Sequence, residues 1–257
     1  MEMSYVEMGF LASLAAGLAT GIGALPVLVM RKKLTPQTLS LTLGGAAGVM
    51  LAATCFSLLL PGIEAGNNFY QGQGVAIAGL AMLLGAVFFD RLDKWLPHEH
   101  FLAGPEGPSS SLRKIWLFVI AIAIHNLPEG LAVGVSFGQG DSGTSRGLAT
   151  GIGLQNMPEG LAVAVALAGQ GYSKTKAVIV ATLTGLMEPL GGLMGAALVG
   201  YSEILLPWGL AFAAGAMLFV VSDEIIPETH AHGKSRMATF GVIIGFVLMM
   251  GLDDLFG

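Results

Sequence analysis

The sequence carries little charge and almost no cysteine. Charged residues make up 11% of its 257 positions against 54% hydrophobic, and the mean hydropathy is +0.74. A soluble domain needs more charge than this, so the composition excludes one. The single cysteine, Cys55, excludes an internal disulfide and any Cys-rich zinc finger. No HExxH zincin motif occurs, and no evident nucleophile accompanies the acids described below. The basic residues form no patch, so no nucleic-acid partner is expected. The first apolar run follows Glu2 and Glu7, not a basic region. It therefore reads as a retained helix and not as a cleavable signal peptide.

What the chain does have is apolar length. Eight spans are expected, at roughly 6–30, 40–62, 73–93, 115–138, 146–169, 176–200, 204–227 and 236–253, in one polytopic domain covering 1–257. The placement of charge orients them. Arg31, Lys32, Lys33, Arg91, Lys94, Arg113, Lys114, Lys174, Lys176, Lys234 and Arg236 fall on one side, and Arg146 alone on the other. By the positive-inside rule the first side is cytoplasmic and both termini are extracytoplasmic. The fold class is thus an all-α membrane protein of eight transmembrane helices. The expected localisation is the cell (inner or plasma) membrane, with the lipid bilayer as the first partner.

One stretch is written twice. His125-Asn126-Leu127-Pro128-Glu129-Gly130-Leu131-Ala132-Val133 recurs thirty positions later as Gln155-Asn156-Met157-Pro158-Glu159-Gly160-Leu161-Ala162-Val163. Each copy lies inside an apolar run, where a carboxylate is costly and by default functional. Residues three and four apart share a helix face, so His125 and Asn126 lean toward Glu129, and Gln155 and Asn156 toward Glu159. Pro128 and Pro158 release the carbonyls of Ile124 and Leu154 from their helical partners. Gly130 and Gly160 let a second helix come close.

Glu188, followed by Pro189, adds a third carboxylate in mid-membrane. Three acids clustered in low dielectric cannot all stay ionised without a counter-charge, and no Lys or Arg lies in these helix centres. A divalent cation would supply it. Imidazole, carboxylate and amide oxygens without thiolate suit zinc, iron(II), manganese or cadmium and argue against copper(I). No organic cofactor is expected. The bland alternative is that these polar residues only join helices together.

A weaker echo links Gly48-Val49-Met50-Leu51 with Gly215-Ala216-Met217-Leu218, each opening a run that ends at a proline, Pro61 or Pro227. It suggests a 3+2+3 plan with inverted outer repeats. The longest loop, cytoplasmic residues 94–114, contains His98 and His100 and then Gly/Pro/Ser-rich sequence whose composition favours disorder. These two histidines, with His230 and His232 on the same face, read either as solvated linker or as an exchangeable metal-gathering site.

The paired motif resembles the signature of the ZIP (Zrt-/Irt-like) metal-ion transporters. Its Gln155-Asn156 form is similar to that of the prokaryotic GufA-like branch. The resemblance spans essentially the whole chain. It implies one metal position formed by His125, Glu129, Gln155 and Glu159, and a neighbouring one formed by Asn126, Glu129, Asn156, Glu159 and Glu188, with the two bridging Glu shared. It further implies an outer entrance lined by Ala46, Met50, Ser57 and Glu64, a cytoplasmic exit at Asp223 and Glu224, and a homodimer. Spans 1, 4, 5 and 6 would move like an elevator against 2, 3, 7 and 8. The function so implied is import of divalent transition metals, zinc first, through a midplane binuclear site by alternating access, and not catalysis. Two rivals from other classes are an intramembrane two-metal hydrolase and a proton-coupled carrier of an organic solute.

Overall fold

A computed structural model describes residues 3–30, 35–95, 98–100, 104–106, 114–138, 140, 142–230 and 235–256. Helix α1 (Tyr5–Ala24) begins at a capping box in which Ser4 and Glu7 satisfy each other's backbone donors. It leads into the short α2 (Pro26–Val29), and α3 (Pro36–Ala52) follows. A π-helical stretch, Ala53–Leu59, then joins α3 to α4 (Leu60–Phe69). Next come α5 (Gly74–Trp95), strands β1 (His98–His100) and β2 (Gly104–Glu106), α6 (Lys114–Phe137), α7 (Gly143–Gly169), α8 (Lys174–Gly185) and α9 (Glu188–Tyr201). After a 3-10 turn, α10 (Leu206–Val220) runs into a second π stretch, Val221–Ile225, and then α11 (Ile226–His230) and α12 (Ser235–Phe256).

Both π stretches have the same local cause. Pro61 and Pro227 lie just beyond them, lack an N–H and crowd the carbonyl four residues back; widening the turn relieves both problems. Pro189 acts differently. The sixth expected span is broken at Leu186–Met187 into α8 and α9, with Glu188 and Pro189 in the first turn of α9. Glu188 therefore sits at a helix start, not in the middle of a continuous helix.

Among the described residues, seven helical stretches are long and apolar enough to cross a membrane. Helix α7 is not one of them, because Arg146, Gln155, Asn156 and Glu159 lower its hydropathy. Its 27 residues are instead wrapped by α1, α3, α6, α8 and α12. Loop 94–114 also departs from expectation. Its described parts form an antiparallel pair, His98 opposite Glu106 and His100 opposite Gly104, packed against α6. Pairing satisfies backbone groups that a bare loop would leave open.

Two sets of helices are distinguished by their contacts as groups: α1 with α6, α7, α8 and α9, and α3, α4, α5, α10 and α12, which the two π stretches join. Helix α1 contacts α6, α7, α8 and α9, while α3 packs on α12 and α5 on α10. Within each group glycines let backbones touch. A Cβ on Gly130 would overlap the Glu188 carbonyl, and one on Gly160 the Thr20 carbonyl. In the other group, a Cβ on Gly48 would strike Val242 and one on Gly215 would strike Met82. Where the groups meet, through α3–α7, α6–α10 and α7–α12, Gly151 faces the Met249 side chain and Gly209 that of Val135, as Gly21 and Gly138 face the Thr182 and Val199 side chains inside the first group.

Candidate metal site

Both copies of the doubled motif are buried and converge. His125, Asn126 and Glu129 lie on α6, Gln155, Asn156 and Glu159 on α7, and Glu188 opens α9; none is more than 3% exposed. Pro128 and Pro158 are accommodated inside continuous helices. The close approaches at Gly130 and Gly160 bring α9 onto α6 and α1 onto α7 beside the two motif carboxylates.

The polar contacts are sparse. The Asn156 Nδ2 amide donates to Glu188 Oε1 at 2.6 Å and to the Ala16 carbonyl at 2.9 Å. Gln155 Nε2 donates to Asn156 Oδ1 at 2.7 Å. Both carboxylate oxygens of Glu159, both amide atoms of Asn126, Gln155 Oε1 and Glu188 Oε2 have no hydrogen-bond partner among the described residues, and the Glu129 carboxylate has only the nearby Gln155 side chain, outside good hydrogen-bond geometry. Glu129, Glu159 and Glu188 lie within electrostatic reach of one another, and His125 within reach of Glu159. Leaving buried polar atoms unpaired is costly, and so many oxygens around one spot is the arrangement a cation would satisfy.

The imidazole of His125 is engaged elsewhere: its Nε2 pairs with the Glu224 carboxylate. Among the described residues no three His, Cys, Asp or Glu side chains converge tightly enough to hold a metal by themselves. One reason is chemical: amides, from Asn126, Gln155 and Asn156, make up part of the expected ligand set.

The remaining expected residues separate. Ala46 and Met50 are buried packing on α3. Ser57, in the first π stretch, donates to Asp253 Oδ1 of α12 at 2.9 Å. Glu64 lines a pocket of about 430 Å³ with Tyr5, Asn68 and Glu203. Asp223 and Glu224 diverge across the second π stretch, Asp223 exposed and Glu224 buried. His98 and His100 form the strand β1, His230 bonds to Thr229 and the Ile226 carbonyl, and His232 lies outside the described residues.

Two acids escaped the sequence reading. Asp93, buried near the end of α5, lies within electrostatic reach of His125. Its signal was present: Ala81, Gly85, Phe89 and Asp93 continue one buried stripe at four-residue spacing. Asp253 offered no such sign, since its partner Ser57 lies 196 positions away.

The family model described as ZIP zinc transporter matches residues 103–253. The chain is 46% identical to "Zinc transporter GufA" of Myxococcus xanthus, covering 95% of this chain and 97% of that protein. It is 44% identical to "Zinc transporter ZIPB" of Bordetella bronchiseptica, covering 100% and 83%. It is 34% identical to "Zinc transporter ZupT" of Chlorobium chlorochromatii, covering 95% and 96%. With the motif, the apolar helices and these likenesses in agreement, the chain is a multi-pass membrane protein and belongs to the ZIP family, in its prokaryotic GufA-like branch.

Proposed function

We propose that this protein imports divalent transition-metal ions into the cytoplasm across the cell membrane, with zinc as the first substrate and cadmium, iron(II) and manganese as further ones. The observation that carries this reading is the cluster of buried oxygens on Glu129, Glu159, Asn126, Gln155 and Glu188 that accept no well-formed hydrogen bond from the described residues. The cargo would shed water as these oxygens replace its hydration shell. One position takes His125, Glu129, Gln155 and Glu159; its neighbour takes Asn126, Glu129, Asn156, Glu159 and Glu188, with the two motif Glu bridging.

Entry runs past Ala46, Met50, Ser57 and Glu64, with Asp253 beside Ser57. Exit runs past Glu224, Asp93 and Asp223. The His125–Glu224 pair joins the cargo site to that exit, so imidazole released by Glu224 can take the ion and hand it on.

Eight spans with extracytoplasmic termini are supported by the apolar runs and by the placement of the basic residues. A 3+2+3 plan is supported by matched contacts in the two halves. Gly130 of α6 meets α9 as Gly160 of α7 meets α1, and Gly48 of α3 meets α12 as Gly215 of α10 meets α5. A π stretch follows both Gly48 and Gly215. The backbone-to-backbone contacts at Gly130, Gly160, Gly48 and Gly215 lie inside the helix groups, while Gly151 and Gly209 meet side chains between them, which suits two bodies that slide past one another in a homodimer of such units.

The test is metal uptake into proteoliposomes loaded with a metal-sensitive dye, with Zn²⁺, Cd²⁺, Mn²⁺, Fe²⁺ and Ca²⁺ in parallel. Saturable zinc flux that His125→Ala and Glu159→Ala abolish is the expected result. No flux of any metal from folded protein overturns the proposal.

A further inference from the structure

An apolar cleft of about 290 Å³ lies between the two helix groups. Phe89 of α5 and Gly209 of α10 form one wall, and Leu131 and Val135 of α6 form the other. Its inner end is deep, since Phe89 and Val135 are only 2% and 0% exposed. Its mouth is open, since Met194 and Leu198 of α9 are 59% and 41% exposed. Every side chain lining it is apolar.

Size and chemistry limit the occupant. Water needs two to four polar partners in a cavity, and this cleft offers none. From Leu127 to Val135 the cleft runs about 12 Å along α6, at the rise of a helix. A helix of that length fills roughly 900 Å³ at its usual diameter, far beyond the space here. Left empty, the walls lose their dispersion contacts. The mouth faces the hydrocarbon, because Met194 and Leu198 are exposed apolar side chains within Lys174–Tyr201, a stretch long and apolar enough to cross a core some 30 Å thick. An acyl chain is narrow, apolar and present at that depth.

We propose that this cleft binds one acyl chain of a bilayer phospholipid, wedged between α5–α10 on one side and α6–α9 on the other. The chain touches both helix groups, so its binding is tied to their relative position. A bound chain favours whichever arrangement keeps the cleft open. That consequence for transport rests on the sliding motion proposed above; the binding rests on the cleft alone.

The test uses full-length protein in nanodiscs containing a phospholipid with a photoactivatable diazirine in mid-chain, followed by peptide mass spectrometry. Adducts on Leu131 and Val135 are expected, in addition to those on outward residues such as Ile244 of α12. Leu131→Trp and Leu198→Trp, two independent ways of filling the cleft, should each lower the adducts on Val135 several-fold while leaving Ile244 unchanged. Adducts on Ile244 with none on Leu131 or Val135 would overturn the proposal. So would Val135 adducts that persist in both filled variants. Labelling is read without transport, so a failure of metal flux leaves this result standing.

Discussion

The Nε2 atom of His125, on α6, pairs with the carboxylate of Glu224, which belongs to the π stretch after α10. The two residues are 99 positions apart and sit in different helix groups. The pair thus ties α6 to the π stretch after α10, and it holds the one imidazole of the doubled motif.

Removing Glu224 takes away a buried partner. Glu224→Ala is expected to lower stability by about 1–3 kcal/mol. His125→Ala combined with Glu224→Ala should cost less than the two single changes added, because each single variant already loses the shared contact. Thermal unfolding in detergent, followed by size exclusion, measures all three. Strict additivity would show that the two side chains are not coupled.

Asn156→Asp separates the empty site from the loaded one. The Asn156 amide donates to Glu188 and to Ala16, and an aspartate donates to neither. Without metal the variant should melt lower than wild type, because it sets a carboxylate against the Glu188 carboxylate. With zinc the added charge is neutralised, so the rise in melting temperature on adding zinc should exceed that of wild type. An equal rise in both proteins would place Asn156 away from the ion.

Gly160→Ala tests the helix contact that holds the second motif in place. The new Cβ would overlap the Thr20 carbonyl, so α1 or α7 must shift, at about 1–3 kcal/mol. Zinc uptake should fall with it, because Glu159 is the neighbouring residue. Gly79→Ala, on α5, meets nothing within 4 Å and should be neutral or stabilising by up to ~1 kcal/mol. Melting and uptake measured on both variants decide the matter.

Tyr70→Phe removes one hydroxyl that serves two partners. It accepts from Trp208 Nε1 at 3.0 Å and donates to the Ile204 carbonyl at 3.0 Å. The expected loss is about 1–3 kcal/mol, with a shift in tryptophan emission as the Trp208 indole loses its bond. Unchanged emission and melting would show that the end of α10 is held by packing alone.

Local chemistry made part of this protein legible from its sequence. Apolar run lengths, the Pro-Glu-Gly core of each motif copy and the placement of Arg and Lys each depend on near neighbours or on the bilayer. What lay several helices away was not legible. The break before Glu188 could be suspected from Pro189, but a proline can also sit inside a helix, as Pro128 and Pro158 do here.

The sequence by itself determined that this chain crosses a membrane and that two buried glutamates with amide and imidazole companions recur within it. Only the tertiary structure decided that His125 faces Glu224, that Ser57 faces Asp253, and that Asn156 is held by Glu188 and the Ala16 carbonyl. Helical spacing fixes which residues share a face of one helix. Which faces then meet depends on where glycines let backbones close and where prolines widen a turn, and those are properties of the packed whole.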